Sequence, residues 1–241
     1  MITLSNEYLN LHQIADSGQC FRWIRSGENE YTIPAFGRTL VATQDDTHVV
    51  LDCSAHEYES VWRSYFDVDS DYGVYYNAAL ESGLPYLQLA AGFSKGVRIL
   101  RQELWETALS FVISQNNNIP RIKKILDRIV DRFGRFPDPS DITEGSLSGL
   151  QLGYREQYVY NLARAYSPNM TDFQCIKGIG SKVNSCILLY GQGRKDAFPR
   201  DVWVKRIEQT YFDGRFPEER FDGFAGVMQQ YLFYYAKHNR E

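Results

Sequence analysis

The 241-residue chain is 44% apolar and 23% charged, enough to bury a core without disulfides or metals, which excludes a disordered or fibrous protein. Its formal net charge of −4 argues at first against a nucleic-acid partner, and no apolar run approaches the ~18 residues that cross a bilayer. Met1-Ile2-Thr3-Leu4-Ser5 has neither the basic start nor the apolar run of a signal peptide, so an intracellular protein without a membrane partner is expected.

Short β-rich runs open the chain: Phe21-Arg22-Trp23-Ile24, Tyr31-Thr32-Ile33, Thr39-Leu40-Val41-Ala42 and Val49-Val50-Leu51, separated by turns at Ser26-Gly27-Glu28-Asn29, Gly37 and Gln44-Asp45-Asp46. Such spacing predicts an antiparallel meander. After Ser54 the period changes, and Tyr58, Val61, Trp62, Tyr65 and Phe66 fall on one helical face. Asp67-Val68-Asp69-Ser70-Asp71 imitates a calcium loop, but Gly73 comes one place late and Ala78 stands where a bidentate Glu is required. It reads as a turn and an N-cap. Helices are predicted at 103–114, 120–133, 155–166, 181–190, 201–212 and 221–238, broken by turns such as Phe136-Pro137-Asp138-Pro139. The expected fold class is α+β: an N-terminal antiparallel sheet subdomain with flanking helices (1–94) and a larger all-helical domain (95–241).

Cys20, Cys53, Cys175 and Cys186 form no C-x-x-C pair, and His12, His48, His56 and His238 are scattered. Reduced, packed thiols are expected, and zinc or histidine-triad chemistry is not. Charge becomes informative when it is divided. Residues 1–94 carry 4 Lys+Arg against 13 Asp+Glu, a balance of −9, and residues 95–241 carry 22 against 17, a balance of +5. Basic residues concentrate in 174–206 (Lys177, Lys182, Arg194, Lys195, Arg200, Lys205, Arg206) and along one helix (Arg121, Lys123, Lys124, Arg128, Arg132, Arg135). A solvated helix face and a phosphate-binding face explain these runs equally well.

Chemistry concentrates at Ile176-Lys177-Gly178-Ile179-Gly180-Ser181-Lys182-Val183. Gly178 and Gly180 permit a tight hairpin, and the backbone N–H groups of the following helix start, through Val183, suit a phosphate. The carbonyls of Gln174, Ile176 and Ile179 are candidate ligands for a monovalent cation. Lys182 falls in the first helical turn, where the macrodipole disfavours positive charge and an amine suits nucleophilic catalysis. Asp201, in Pro199-Arg200-Asp201-Val202, is both an expected N-cap and a carboxylate available to the amine.

Gly178-Ile179-Gly180-Ser181-Lys182 followed by Asp201 resembles the helix-hairpin-helix DNA glycosylases that carry a catalytic lysine. Gly18-Gln19-Cys20-Phe21-Arg22-Trp23, Ser114-Gln115-Asn116-Asn117-Asn118-Ile119 and Gly153-Tyr154-Arg155 narrow the resemblance to the 8-oxoguanine DNA glycosylase/AP lyases, over nearly the whole chain. The resemblance implies a base-excision repair enzyme that takes 8-oxoguanine, opposite cytosine, out of the duplex stack. In it Lys182 attacks C1′, forms a Schiff base and permits β-elimination, while Asp201 activates the amine. The backbone carbonyl of Gly18 reads N7, a donor in 8-oxoguanine and an acceptor in guanine. Gln229 reads the Watson–Crick edge, Phe233 and Cys186 flank the base, Asn116 and Tyr154 fill and wedge the gap, and Arg121 and Arg155 contact the estranged cytosine. The resemblance further implies a monomer acting on double-stranded DNA in a prokaryotic cell, with no required cofactor.

One departure is Trp203, where the family often has a phosphate-contacting histidine. The endonuclease III type shares hairpin and lysine but usually carries a four-cysteine iron–sulfur cluster near its C-terminus, and here no cysteine follows Cys186. The alkylated-base relatives have the sheet without the lysine. A non-catalytic DNA-binding module would require neither Lys182 nor Asp201.

Overall fold

The computed structural model describes residues 1–239. Five strands, β1 (Ile2–Ser5), β2 (Ile24–Arg25), β3 (Glu30–Ala35), β4 (Arg38–Gln44) and β5 (His48–Leu51), form one antiparallel sheet in the order β1-β5-β4-β3-β2. Inward residues alternate along the strands: Tyr31, Ile33 and Ala35, then Leu40 and Ala42, then Val49 and Leu51. They pack against helix α1 (Leu11–Asp16) and a helical run of α2 (Ala55–Glu57), a π-helical turn (Tyr58–Trp62) and α3 (Arg63–Tyr65). The periodic face expected after Ser54 supplies Trp62, Tyr65 and Phe66 to this core.

The remaining helices are α4 (Tyr72–Leu80), α5 (Pro85–Phe93), α6 (Leu104–Ser114), α7 (Ile119–Phe133), α8 (Arg155–Ala165), α9 (Ser181–Gly191), α10 (Val202–Tyr211) and α11 (Ala225–Asn239). Their local causes are visible in α7. Asn118 caps its start by accepting from the Arg121 N–H, Pro120 lies in the first turn, and Gly134 ends it at φ +70°. Ile122, Ile125, Leu126 and Ile129 are its buried face. Helices α4 and α5 lie before the boundary expected at 94, yet their buried residues belong to the helical core that includes α11.

Two expected elements differ. Residues 21–24 give only the start of β2 at Ile24, because Phe21 packs into the helical core against Phe111 whereas Trp23 packs into the sheet core. The chain here crosses between cores rather than alternating across a sheet. The helix expected from 221 begins at Ala225, after a 3-10 turn (Glu218–Phe221) and Gly223 at φ +79°.

Asp67, expected as part of a turn, also joins the two halves. It is buried at φ +50° and pairs with Arg101 at 2.8 Å and Lys195 at 2.7 Å, while the Tyr72 hydroxyl donates to it at 3.1 Å. Asp71 caps α4.

Candidate active site

The hairpin at 173–180 is held from several sides. The Asn184 side chain accepts from the Phe173 N–H at 2.9 Å, and Ile179 N–H donates to the Ile176 carbonyl at 3.0 Å. Asn161 donates to the Lys177 carbonyl at 3.1 Å and Gln115 to that of Gly178 at 3.0 Å. Gly178 adopts φ +105°, a conformation that favours glycine. Helix α9 then begins with Gly180 as an N-cap that offers no side chain. The N–H groups of Ser181, Lys182 and Val183 therefore find no acceptor among the described residues, as an anion site requires.

Lys182, Cys186 and Tyr190 recur every fourth residue on α9 and line one cleft with Ser17, Gly18, Phe111, Pro199, Asp201, Gln229 and Phe233. The Lys182 Nζ lies 5.3 Å from the centre of the Phe111 ring. Asp201 caps α10 by accepting the Val204 N–H at 2.9 Å. Burial pushes its carboxyl above the usual range, against the lowering effects of that N–H and the Lys182 charge. Burial likewise raises the Cys186 thiol, which Lys182 partly offsets. Gln229 is buried, and its Oε1 has no hydrogen-bond partner among the described residues. Gly18 adopts φ +77°, and a Cβ there would stand 3.1 Å from Cε1 of Phe233. Free space in the cleft is about 50 Å³, room for a water or two and too little for a purine while the Phe233 ring rests on Gly18.

The expected wedge forms a second group. Asn116 takes φ +48° just after α6 and is exposed. Tyr154 is 50% exposed, packed edge-on to Tyr158 and under the Arg155 guanidinium. Arg121 is exposed, with a long 3.5 Å bond to the Gln151 carbonyl. Arg155, the other arginine expected to contact the estranged cytosine, is bonded within the protein. It is buried, and its donors go to the carbonyls of Gln115, Leu152 (3.2 Å) and Asn116 (2.8 Å).

Many residues of the basic runs have partners within the protein. Lys195 pairs with Asp67, Arg194 with Asp196, and Arg200 with Glu208 and Glu218. Arg128 and Arg132 bind the 146–151 loop, and Arg135 pairs with Asp138 and Asp141. Phe111, Tyr190 and Gln115 are site residues that the sequence reading did not single out as such. Tyr190 carried a signal in its helical spacing from Lys182, whereas Phe111 and Gln115 are defined by tertiary partners.

Two family models match the chain from residue 1 to residue 214. Residues 1–108 match the 8-oxoguanine DNA glycosylase N-terminal domain, and residues 109–214 match the HhH-GPD superfamily base excision DNA repair proteins. The N-glycosylase/DNA lyase of Saccharomyces cerevisiae is 28% identical over 262 residues, which cover 86% of this chain and 69% of that protein. A structure of MBOgg1 in complex with a low-affinity DNA ligand superposes with a TM-score of 0.89 at 30% identity, covering 100% of both chains. The Clostridium acetobutylicum 8-oxoguanine glycosylase/lyase, in complex with double-stranded DNA containing cytosine opposite 8-oxoG, gives 0.89 at 29% identity over 100% of this chain and 99% of that one. With both halves matched and the hairpin lysine sharing one cleft with a half-buried carboxylate, the chain belongs to the 8-oxoguanine DNA glycosylase family of the HhH-GPD superfamily.

Proposed function

We propose that the cleft receives an 8-oxoguanine flipped out of duplex DNA and that Lys182 is the nucleophile that excises it. The protein is a DNA glycosylase with lyase activity in base-excision repair. One observation carries the residue assignment: Gly18, Lys182 with Cys186, Asp201, and Gln229 with Phe233 come from four separate segments and converge on a single cleft.

The uncharged Lys182 amine attacks C1′ as the glycosidic bond breaks, and the base departs with the bonding electrons. Loss of a proton from nitrogen and opening of the sugar ring give the Schiff base. Removal of a C2′ proton then expels the 3′ phosphate. Asp201, half-buried in the same cleft as the amine, accepts its proton and stabilises the positive charge that develops on the sugar, an effect worth several kcal/mol (order of magnitude) once the bound base excludes water. The Gly18 carbonyl accepts from N7–H of 8-oxoguanine and opposes the N7 lone pair of guanine. Gln229 offers its unpartnered Oε1 to the base edge, and admission of the base moves the Phe233 ring off Gly18 to a stacking position.

Outside the cleft, the N–H groups at the start of α9 hold a phosphate, while Asn116 and Tyr154 enter the gap left by the base. Arg121 approaches the estranged cytosine directly. Arg155 joins it by exchanging its present bonds to the Gln115 and Asn116 carbonyls. The neutral oxygens of Gln174, Ile176 and Ile179 suit a hard, singly charged cation, because no carboxylate belongs to the set. Such an ion would brace the hairpin against the phosphate. Monomeric action without iron–sulfur or zinc chemistry completes the reading.

Single-turnover excision from duplexes containing 8-oxoguanine opposite cytosine, 8-oxoguanine opposite adenine, and thymine glycol tests the substrate. The first is expected to react fastest. Preference for thymine glycol would replace this reading with oxidised-pyrimidine repair.

A further inference from the structure

A chain of buried amides lies behind the base-contacting residues, around the loop that presents Gly18. Gln230 is fully buried; it donates to the Ser17 carbonyl at 2.9 Å and accepts the Tyr190 hydroxyl. Tyr190 in turn lines the cleft and stacks on Phe111 with ring centres 5.4 Å apart. On the other side of Gly18, the Gln19 carbonyl accepts from the Gln102 side chain at 2.8 Å. The Gln102 backbone N–H is itself bonded to the Tyr190 carbonyl at 2.8 Å. The Gln19 side chain donates to the Ser17 hydroxyl at 2.8 Å and accepts from the Leu100 N–H at 2.7 Å. Both carbonyls flanking Gly18 are thus fixed, whereas no described residue donates to the carbonyl of Gly18 itself.

We infer that Gln230, oriented by Tyr190, is a positioning residue for lesion specificity: it fixes the loop so that the Gly18 carbonyl discriminates N7–H from an N7 lone pair. The inference rests on the functional reading above. A carbonyl separates a donor from an acceptor only at short range and in line, and the contrast decays steeply when the loop can tilt or retreat. A glycine with φ +77° has little backbone preference of its own to hold that direction, so neighbours must supply it. A carboxamide accepts from the Tyr190 hydroxyl and donates to the Ser17 carbonyl at once, with no change of protonation state. Leucine does neither. Gln230 touches no substrate; its effect passes through Ser17.

The test measures equilibrium binding in a Lys182→Gln background, which holds substrate without excising it. The probes are three duplexes with 8-oxoguanine, guanine or a tetrahydrofuran abasic analogue opposite cytosine. Adding Gln230→Leu is expected to reduce the 8-oxoguanine-to-guanine affinity ratio about tenfold. Affinity for the tetrahydrofuran duplex should stay within about twofold, since backbone contacts are untouched. Tyr190→Phe, which removes one hydroxyl, should reduce the ratio about threefold. If Gln230→Leu does not fold, Tyr190→Phe decides alone. An unchanged ratio, or an equal loss on all three duplexes, would overturn the inference. Absence of any 8-oxoguanine preference in Lys182→Gln itself would remove the functional reading and this inference with it. Retention of that preference in every added variant would remove the inference alone.

Discussion

A Cβ on Gly178 would overlap the ring of Tyr158, and the residue's φ of +105° is one that L side chains rarely adopt. Tyr158 is also the edge-on neighbour of Tyr154, the wedge candidate, so the 173–180 hairpin and helix α8 meet at this glycine. Gly178→Ala therefore combines backbone strain with overpacking and is expected to cost about 2–4 kcal/mol. Denaturant unfolding should show that loss, together with weakened duplex binding even by the folded fraction. A variant as stable as the parent would contradict the packing account.

Asp201 caps α10, and substitution can separate that role from the chemical one proposed for it. Asparagine also caps helices, so Asp201→Asn should retain stability to within about 0.5 kcal/mol, whereas Asp201→Ala should lose about 1 kcal/mol. Both should lower single-turnover excision, by roughly 10²–10⁴-fold. In the parent, burial raises this carboxyl, so activity should fall on acidification through a value above that of an ordinary aspartate. The acid limb should vanish from the residual activity of Asp201→Asn.

Gln229 is retained at a cost to stability. Its Oε1 is buried without a partner among the described residues, and an unpaired buried acceptor costs about 1–3 kcal/mol. Gln229→Met keeps the bulk and removes the polar group, so it should raise stability by about 1 kcal/mol while impairing excision. Thermal melting alongside the excision assay checks both arms, and a destabilised variant would show that the amide is satisfied.

Glu106 gives a pH signature away from the cleft. Its carboxyl pairs with Arg22 at 2.5 Å, yet burial outweighs that guanidinium and pushes the group up from 4.5 to about 7. As pH rises through this window the unfolded chain releases the proton first, so the native state binds more protons and unfolding free energy falls. The contribution is fully present below about 4.5 and lost as pH passes 7. Glu106→Gln should flatten stability against pH across that interval, and an unchanged slope would contradict the assignment.

Where a side chain answers to its own helix, the sequence was readable. Helices expected at 103–114, 120–133, 155–166 and 181–190 appear as Leu104–Ser114, Ile119–Phe133, Arg155–Ala165 and Ser181–Gly191. Capping residues and the 3.6-residue period act locally, and Asp201 takes its expected capping role for the same reason. Strand β1 escaped because it has four residues and its partner β5 lies far along the chain. Helix α1 escaped because it has only six. Within the site, Lys182 and Cys186 share a face by spacing alone. The commitment of Arg155 to the Gln115 and Asn116 carbonyls depends on a helix start meeting a distant turn, and the link from Gln230 to Ser17 on α11 meeting the turn after α1, and no local pattern encodes either.

Borohydride reduction during reaction with an 8-oxoguanine duplex most directly tests the central claim that the Lys182 amine bonds to deoxyribose. The expected result is a covalent protein–DNA adduct that peptide mapping places on Lys182, and that is absent from a Lys182→Gln protein still able to bind the duplex. An adduct that persists in Lys182→Gln, or that maps to another residue, would contradict it.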